Sequence, residues 1–238
     1  NWTTEEFAKY VLDRSKKGNI YLCRDHGGPW QNSIEIDNKL SLEQAMDSAK
    51  SSYLADIKAG FKILHIDPSI DIFRKVTNEE LVDRLINLYE FCWEKSKELK
   101  KEITFEIGTE EQSGSNNPLK DIEFTIDSVK DFCSKRKIPE PIFVVVQCGT
   151  RVLETENVGS FDTPIRISNE IPAEIQVLRA VNLCRKKNIM MKAHNTDYLS
   201  DDSLSWHPKL GINSANVAPE FGVAETKSFL KILKENCL

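Results

Sequence analysis

Short β-rich runs alternate with long helical patterns along this chain, and that alternation limits what it can fold into more than any other feature. The runs are Ile20 to Arg24, Lys62 to Asp67, Ile103 to Ile107, Ile142 to Gln147 and Ile189 to Ala193, with a weaker one at Leu210 to Asn213. Strands that alternate with amphipathic helices make βα units and a parallel sheet. Most runs start about 40 residues apart, the length of one strand, one helix and two loops. The last interval is shorter. A closed (β/α)8 barrel needs eight strands, so an open doubly wound sheet is the other reading of the same pattern.

Helix signals fall between the runs. Ser41 with Gln44, and Thr77 with Glu80, make the capping-box pattern that satisfies orphan amides at a helix start. The first of these helices is expected to run to Gly60, a left-handed stop. In the second, Leu81, Leu85, Leu88 and Cys92 recur at three- and four-residue steps and set one apolar stripe against a sheet. Ile122 to Cys133, Ile175 to Cys184 and Val223 to Leu233 read as further helices, and Thr3 to Lys17 as one preceding the first strand run. Glu110 to Pro118 and Gly149 to Pro164 read as polar loops after strands, where barrels carry their chemistry.

With 238 residues and 40% hydrophobic content, the chain can bury one sizeable core and reads as a single domain over residues 1–238. Acidic and basic residues are mixed throughout, with a net charge of −5, so no basic stripe invites nucleic acid or an anionic membrane face. The cysteines show neither CxxC nor zinc-ribbon spacing and read as free thiols. No apolar run reaches the roughly 18 residues of a membrane span, and no charged-then-apolar leader is visible. The expectation is a cytoplasmic protein with no membrane partner. Asn1 replaces an initiator Met, which fits a processed chain or an excised piece.

Titratable groups collect at strand ends: Asp25 and His26 at one, Glu106 at another, His194 at a third. A neutral imidazole and a carboxylate can hold a divalent metal or move a proton, and strand ends of an α/β protein are where such groups converge. This points to a metal-assisted site. The turn Gly27-Gly28-Pro29 leaves Asp25 and His26 at a loop mouth, although a structural hydrogen-bond pair is the plainer alternative. His65 shares a strand face with Asp67, since side chains repeat every two residues; it reads equally as a ligand or as a buried imidazole satisfied by that Asp. Glu106 and Glu110 flank Gly108, and one or both face the site. His207, beside Trp206 and Pro208, reads as a loop residue. Trp30 reads as packed, with the alternative that it lines a sugar site together with Gln31. Neither a Walker loop nor GxGxxG is present, so a kinase or a dehydrogenase has no motif to stand on.

The segments Arg24 to Gln31, Ala59 to Asp67, Ile107 to Glu110 and Ala193 to Tyr198 occur in that order. Together, through a DH-G-P-W-Q box and an AH-T-DY box, they resemble the Z-type, so-called non-catalytic subunit of class II tagatose-bisphosphate aldolase, from about Thr3 to about Thr226. The resemblance implies a class II aldolase-like TIM (β/α)8 barrel that lacks its first two βα units in this chain. That subunit family is in turn similar to the catalytic class II fructose- and tagatose-bisphosphate aldolases. Those enzymes use Zn²⁺ as a Lewis acid on the carbonyl and enolate oxygens, while a carboxylic acid moves the proton.

By this resemblance Asp25 is the proton carrier and His26 and His194 are metal ligands. Asp67 and Glu106 match carboxylates that orient or supplement the metal, and Asn213 falls where those enzymes place a substrate-contacting Asn. The catalytic relatives bring a third His where this chain has Gln147. Gln147 stands in for that ligand; a Gln oxygen is a weaker, harder donor, so Zn²⁺ stays the expected metal, with Mn²⁺ or Mg²⁺ as the alternatives that this change brings closer. Cys148 faces the other way along an alternating strand and reads as a structural thiol. For substrate and phosphate, Asn195, Thr196, Ser214, Ala215 and Asn216 offer donors on the last loops, with Arg151 and Lys192 as charge partners and Glu110 beside the site.

Three functions stay open. Glu106 favours a metal-dependent aldolase acting on a sugar or sugar phosphate. Gln147 favours a non-catalytic partner that stabilises an aldolase catalytic subunit. The same enolate chemistry also serves a barrel isomerase or epimerase. Association with itself or with such a subunit is the expected assembly.

Overall fold

In the computed structural model, residues 2–15, 18–108, 118–147, 149–161 and 173–236 are described, and the chain divides into two compact units, Asn1–Val144 and Val145–Leu238. The first unit carries α1 (Thr4–Arg14), β1 (Cys23–Gly27), α2 (Ser33–Asp37), α3 (Leu42–Ala59), β2 (Ile63–Ile66), α4 (Asn78–Glu98), β3 (Thr104–Gly108) and α5 (Pro118–Arg136). β4 (Phe143–Val146) spans the boundary. The second unit continues with β5 (Val152–Leu153), β6 (Glu156–Asn157), α6 (Ala173–Lys186), β7 (Met190–Ala193), α7 (Asp201–Leu210), β8 (Ser214–Ala215) and α8 (Pro219–Glu235).

The main sheet has the order β1-β2-β3-β4-β7-β8, and β5 with β6 forms a separate antiparallel hairpin. β1 with β2, β2 with β3, and β7 with β8 pair in parallel. Strand order follows chain order without reversal. A doubly wound sheet reverses at a switch point, so the winding is that of a (β/α) barrel, and the sheet holds six strands among the described residues.

Capping explains where the helices begin. Thr3 with Glu6, Ser41 with Gln44 and Thr77 with Glu80 each form a complete reciprocal box. Gly60 closes α3 at φ 97, a conformation in which any Cβ is strained. Leu81, Leu85, Leu88 and Cys92 are all fully buried along one stripe of α4. Each such apolar side chain contributes roughly 1.5–3 kcal/mol, so burial rather than helix propensity holds α4 in place. Cys23, Cys92, Cys133 and Cys184 are free thiols, as expected. Burial pushes the Cys133 and Cys184 thiols up to about 11, which leaves them unreactive. Cys148 lies outside the described residues. No described helix is long and apolar enough to cross a membrane.

Several sequence expectations need correction. β1 begins at Cys23 rather than Ile20, and Ile20 and Tyr21 are exposed. Leu210 belongs to α7, not to a strand: Ser200 caps that helix, Asp201 and Asp202 supply its acidic first turn, and Gly211 ends it at φ 96. The strand follows at Ser214–Ala215. His207 is therefore not a loop residue but a buried member of α7, with Nδ1 3.0 Å from the Ser203 carbonyl. The first helix ends at Arg14. Within the described part of the polar loop after β4, the short hairpin β5–β6 forms.

Candidate functional site

A register slip in β1 builds the site in the first unit. β1 pairs Cys23 with Ile63 and Arg24 with Leu64, but the next match is Gly27 with Ile66. The extra residue is a bulge, occupied by Asp25 and His26. His26 sits at φ 40, a left-handed conformation costing about 1–3 kcal/mol for a non-glycine residue, so surrounding contacts must hold it. Because the bulge breaks strand alternation, both side chains reach toward β2. His26 Nδ1 lies 3.1 Å from Asp67 Oδ2, and Asp25 Oδ1 lies 3.8 Å from His65 Nδ1.

β2 and β3 stay in register and set His65 against Glu106, Nδ1 to Oε1 3.5 Å. The backbone N–H of His26 donates to His65 Nδ1 at 3.3 Å, which places the proton of a neutral His65 on Nε2. That Nε2 is buried without a hydrogen-bond partner, and a Cβ on Gly108 would stand 2.2 Å from it. Only glycine at 108 leaves room for this imidazole. The expectation that Asp67 satisfies His65 is corrected: the bulge swings His26 over the end of β2, and Asp67 takes that ring and the Ser69 N–H instead.

Burial pushes the Asp67 carboxyl up, but the hydrogen bond from His26, the nearby His65 imidazole and the Ser69 hydrogen bond outweigh it and hold the group below the usual carboxylate range. An ionised carboxylate only accepts, so His26 Nδ1 donates and Nε2 is the basic nitrogen of the neutral ring. Nε2 stands 3.9 Å from Asp25 Oδ2. Exposure grades across the cluster: the side chain of Asp25 is 58% exposed and that of His26 31%, whereas Asp67 and Glu106 are at 2%.

A cavity of about 350 Å³ opens beside this cluster, lined by Arg24, Asp25, His26, Gln31, Glu35 and Ser52 among others. Trp30 is packed, 1% exposed, with its indole N–H donating to Leu40 O at 2.9 Å; Gln31 reaches the cavity. Glu35 is a residue that sequence reasoning missed. It is buried in the short α2, accepting from Trp30 N–H and from the Ser48 hydroxyl, both at 2.6 Å. A five-residue helix has no apolar periodicity to mark it. Arg24, equally missed, bonds Asp56 at 2.9 Å and Ser52 at 2.7 Å. Burial raises the Asp56 carboxyl, and the Arg24 guanidinium opposes that shift.

In the second unit the same kind of position is used differently. Gln147 follows β4, is exposed and donates from Nε2 to Thr150 O at 2.7 Å. His194 follows β7; its N–H bonds Val146 O at 3.1 Å and its carbonyl accepts the Thr150 hydroxyl at 2.6 Å. Thr196 is fully buried and donates to Asn216 O at 2.6 Å. Asn195 sits at φ 54, and the Asn157 amide bonds the carbonyls of Asn195 and Asp197. Asp197 accepts from the N–H groups of Ala218 and Glu220, capping α8 where Ala218 itself has no side chain to do so. Asn213 stands before β8, and its side-chain oxygen accepts from Met191 N–H at 3.0 Å, extending the ladder to β7. Ser214 opens β8, and Arg151 is exposed. Thr196 and Asn213 thus spend their side chains on the fold. Glu110 lies outside the described residues.

Among the described residues no group of three or more His, Cys, Asp or Glu is arranged to hold a metal ion. His26 Nε2 and Asp25 Oδ2 are close enough to touch one cation; a catalytic zinc draws three ligands from the protein, whereas Mg²⁺ is commonly held by one or two carboxylates and water.

No protein-family profile and no curated protein matches this sequence. Solved structures do match its fold. A "probable tagatose 6 phosphate kinase" from Sinorhizobium meliloti 1021 superposes with TM-score 0.68 at 20% identity, over 92% of this chain and 53% of that protein. The YdjI aldolase from Escherichia coli K12 matches with TM-score 0.50 at 16% identity, over 99% of this chain and 66% of that one. A 2,3-dimethylmalate lyase of the PEP mutase/isocitrate lyase superfamily matches with TM-score 0.52 at 9% identity, over 100% of this chain and 68% of the lyase. This chain thus spans about half the length of the first of these. At such identities the likeness establishes the fold: an α/β chain with the parallel-strand winding of a TIM barrel.

Proposed function

We propose that this chain belongs to an aldolase-type lyase that makes or breaks a carbon–carbon bond in a sugar or sugar phosphate, with Asp25 moving the proton. One observation carries the reading: an exposed carboxylate in the wall of a polar cavity, next to an imidazole that a buried, ionised Asp67 holds in place. In the cleavage direction a carboxylate takes the proton from the hydroxyl on the carbon β to a carbonyl. That oxygen becomes a new carbonyl, the carbon–carbon bond breaks, and its electrons pass to the first carbonyl as an enolate. The proton then returns to the enolate carbon. Asp25 has the exposure for both transfers, and His26 keeps Asp25 company with a fixed Nε2. Aldolase and lyase names among the fold neighbours and the DH-G-P-W-Q and AH-T-DY boxes support this choice. The kinase name of another neighbour brings no nucleotide loop with it. A divalent cation, Zn²⁺ by the resemblance or Mg²⁺ or Mn²⁺ by the hardness of Gln147, stays part of the proposal, and no step is assigned to it.

A second reading, a non-catalytic partner that stabilises an aldolase catalytic subunit as the Z-type subunits do, is favoured by Gln147. Cleavage assays with trapping of the carbonyl products, run with Zn²⁺, Mn²⁺, Mg²⁺ or Co²⁺, separate the two. Under the first reading Asp25→Ala lowers turnover by at least roughly 100-fold. The same change at so exposed a site shifts stability by no more than about 0.5 kcal/mol. Equal turnover after the substitution overturns the assignment. Silence with every metal, together with longer life of an added class II catalytic subunit, establishes the second reading. Products with an unchanged carbon count mark an isomerase or epimerase instead.

A further inference from the structure

The bulge of β1 places Asp25 and His26, and α3 behind it carries three side chains that reach the bulge from below. Ser52, Tyr53 and Asp56 lie within little more than one turn of that helix. Arg24, the last residue before the slip, bonds Asp56 Oδ2 at 2.9 Å and the Ser52 hydroxyl at 2.7 Å. Its guanidinium also stands over the Tyr53 ring, 5.6 Å from the centre. Gly27, where pairing resumes, runs against Tyr53: a Cβ there would stand 2.0 Å from the phenol oxygen. Only glycine lets the strand pass so close.

Between these two ends the register leaves His65 opposite the bulge. The Tyr53 hydroxyl donates to the His65 carbonyl at 2.8 Å, and the His65 ring accepts the His26 N–H at 3.3 Å. A single residue therefore links the phenol to the backbone of His26. Tyr53 is fully buried, and burial above all pushes its phenol well above the ordinary value, so the hydroxyl keeps its proton and stays a donor. A phenylalanine would fill the same core space without the cost of burying a hydroxyl. His26 holds a left-handed φ of 40, and such strain persists only where the surroundings over-determine it.

We infer that Tyr53 is a positioning residue: its hydroxyl pins the His65 carbonyl, its ring seats Gly27, and together they hold the bulge in the shape that sets Asp25 and His26 beside the cavity. This deepens the lyase reading above and rests on it for what the placement serves.

A structural and a kinetic measurement on Tyr53→Phe keep failure of this inference distinct from failure of the lyase reading. The substitution removes one oxygen and keeps the ring. Hydrogen exchange followed by NMR on the whole chain should show the His26 amide exchanging roughly tenfold faster, the factor for one lost hydrogen bond. Amides of β3 and α4 should keep their wild-type rates. In cleavage assays kcat should fall at least roughly tenfold while KM holds within about twofold, because a misplaced proton carrier weakens the transition state and not binding. An unchanged His26 amide overturns the inference, and so does uniform acceleration across β3 and α4, which marks a plain loss of stability. A faster His26 amide with kcat intact, or a loss confined to KM, overturns it too. If the wild-type chain cleaves nothing, the lyase reading fails and the exchange result alone decides the placement by Tyr53. If Tyr53→Phe does not fold, the wild-type chain serves: over a urea series the Tyr53 hydroxyl proton and the His26 amide should lose protection together. A His26 amide that opens while the hydroxyl stays protected sinks the inference.

Discussion

In the first unit His65, Asp67 and Glu106 are buried at the ends of β2 and β3, each set against another titratable group. In the second unit Gln147 and Thr196, which follow β4 and β7, give their polar atoms to backbone partners, and so does Asn213 just before β8. The contrast is energetic. Taking an ion out of water costs several kcal/mol and is tolerated only where partners are well placed, whereas a neutral amide or hydroxyl on a backbone carbonyl is nearly free of that cost. A fold of this winding does not require a strained His26, an imidazole with an orphaned Nε2 and two buried carboxylates at one spot. Where a sequence accepts such local costs, function is the usual reason. The local costs gather in the first unit, and that is why the proposed chemistry is assigned to it.

The largest effect expected from this contrast is at Asp67. Asp67→Ala removes the partner of His26 Nδ1 and of the Ser69 N–H, and should lower stability by about 3 kcal/mol in a urea titration, as breaking a buried pair does. The same residue sets a pH limb. Its folded-state carboxyl lies below the usual range, so its contribution is complete above that range and is lost as pH falls through the lowered value. Acid titration of the Asp67→Asn variant should lack that loss. A cost under about 0.5 kcal/mol, with an unchanged acid limb, would show that the buried pair is no more than surface-like and dissolve the contrast.

Next in size is Gly108→Ala. The added methyl would stand 2.2 Å from a nitrogen of a fully buried ring, and the far end of that ring has no room to retreat past Glu106 and the His26 backbone. Overpacking of this kind costs about 1–3 kcal/mol. Thermal unfolding checks it, and a neutral outcome would mean that His65 moves easily and does not hold Glu106 and Asp25 in register.

How much of this was readable in advance follows the physics of each signal. The stripe Leu81, Leu85, Leu88 and Cys92 and the stop at Gly60 are local periodicities, and they stand as expected. The gathering of Asp25, His26, His65, Asp67 and Glu106 at strand ends could be anticipated from alternation plus a barrel-like order, because parallel register sets His65 beside Glu106. The bulge could not. Nothing in Arg24-Asp25-His26-Gly27 announces an extra residue, and it is the bulge that redirects Asp67 from His65 to His26. Glu35 and Asp197 were unreadable as structural anchors for a related reason: their partners are backbone amides of Trp30, Ala218 and Glu220, and any residue type supplies those. The helix α7 was hidden by Trp206, His207 and Pro208, which look like a loop until Ser200 and Gly211 are read as its two ends.

Smaller effects belong to the second unit. Asp197→Ala removes the acceptor that caps α8, a loss of about 1 kcal/mol. No residue of α8 is buried, so the loss should appear as faster amide exchange in that helix rather than as lower global stability. A global loss larger than that at Asp67 would reverse the ranking of the two units.

Gln147→Ala is the smallest and the sharpest. The side chain is exposed and makes one hydrogen bond, to Thr150 O, so stability should change by less than about 0.5 kcal/mol. Measured beside cleavage activity, this substitution tests the division of labour directly. If activity and stability both hold, Gln147 is free of chemistry and its side chain serves only the loop after β4. If stability holds but activity falls tenfold or more, Gln147 acts on the reaction, and the difference between the two units is one of side-chain type alone. A drop in stability with activity intact places the loop after β4 under tension, because one exposed hydrogen bond cannot otherwise account for it.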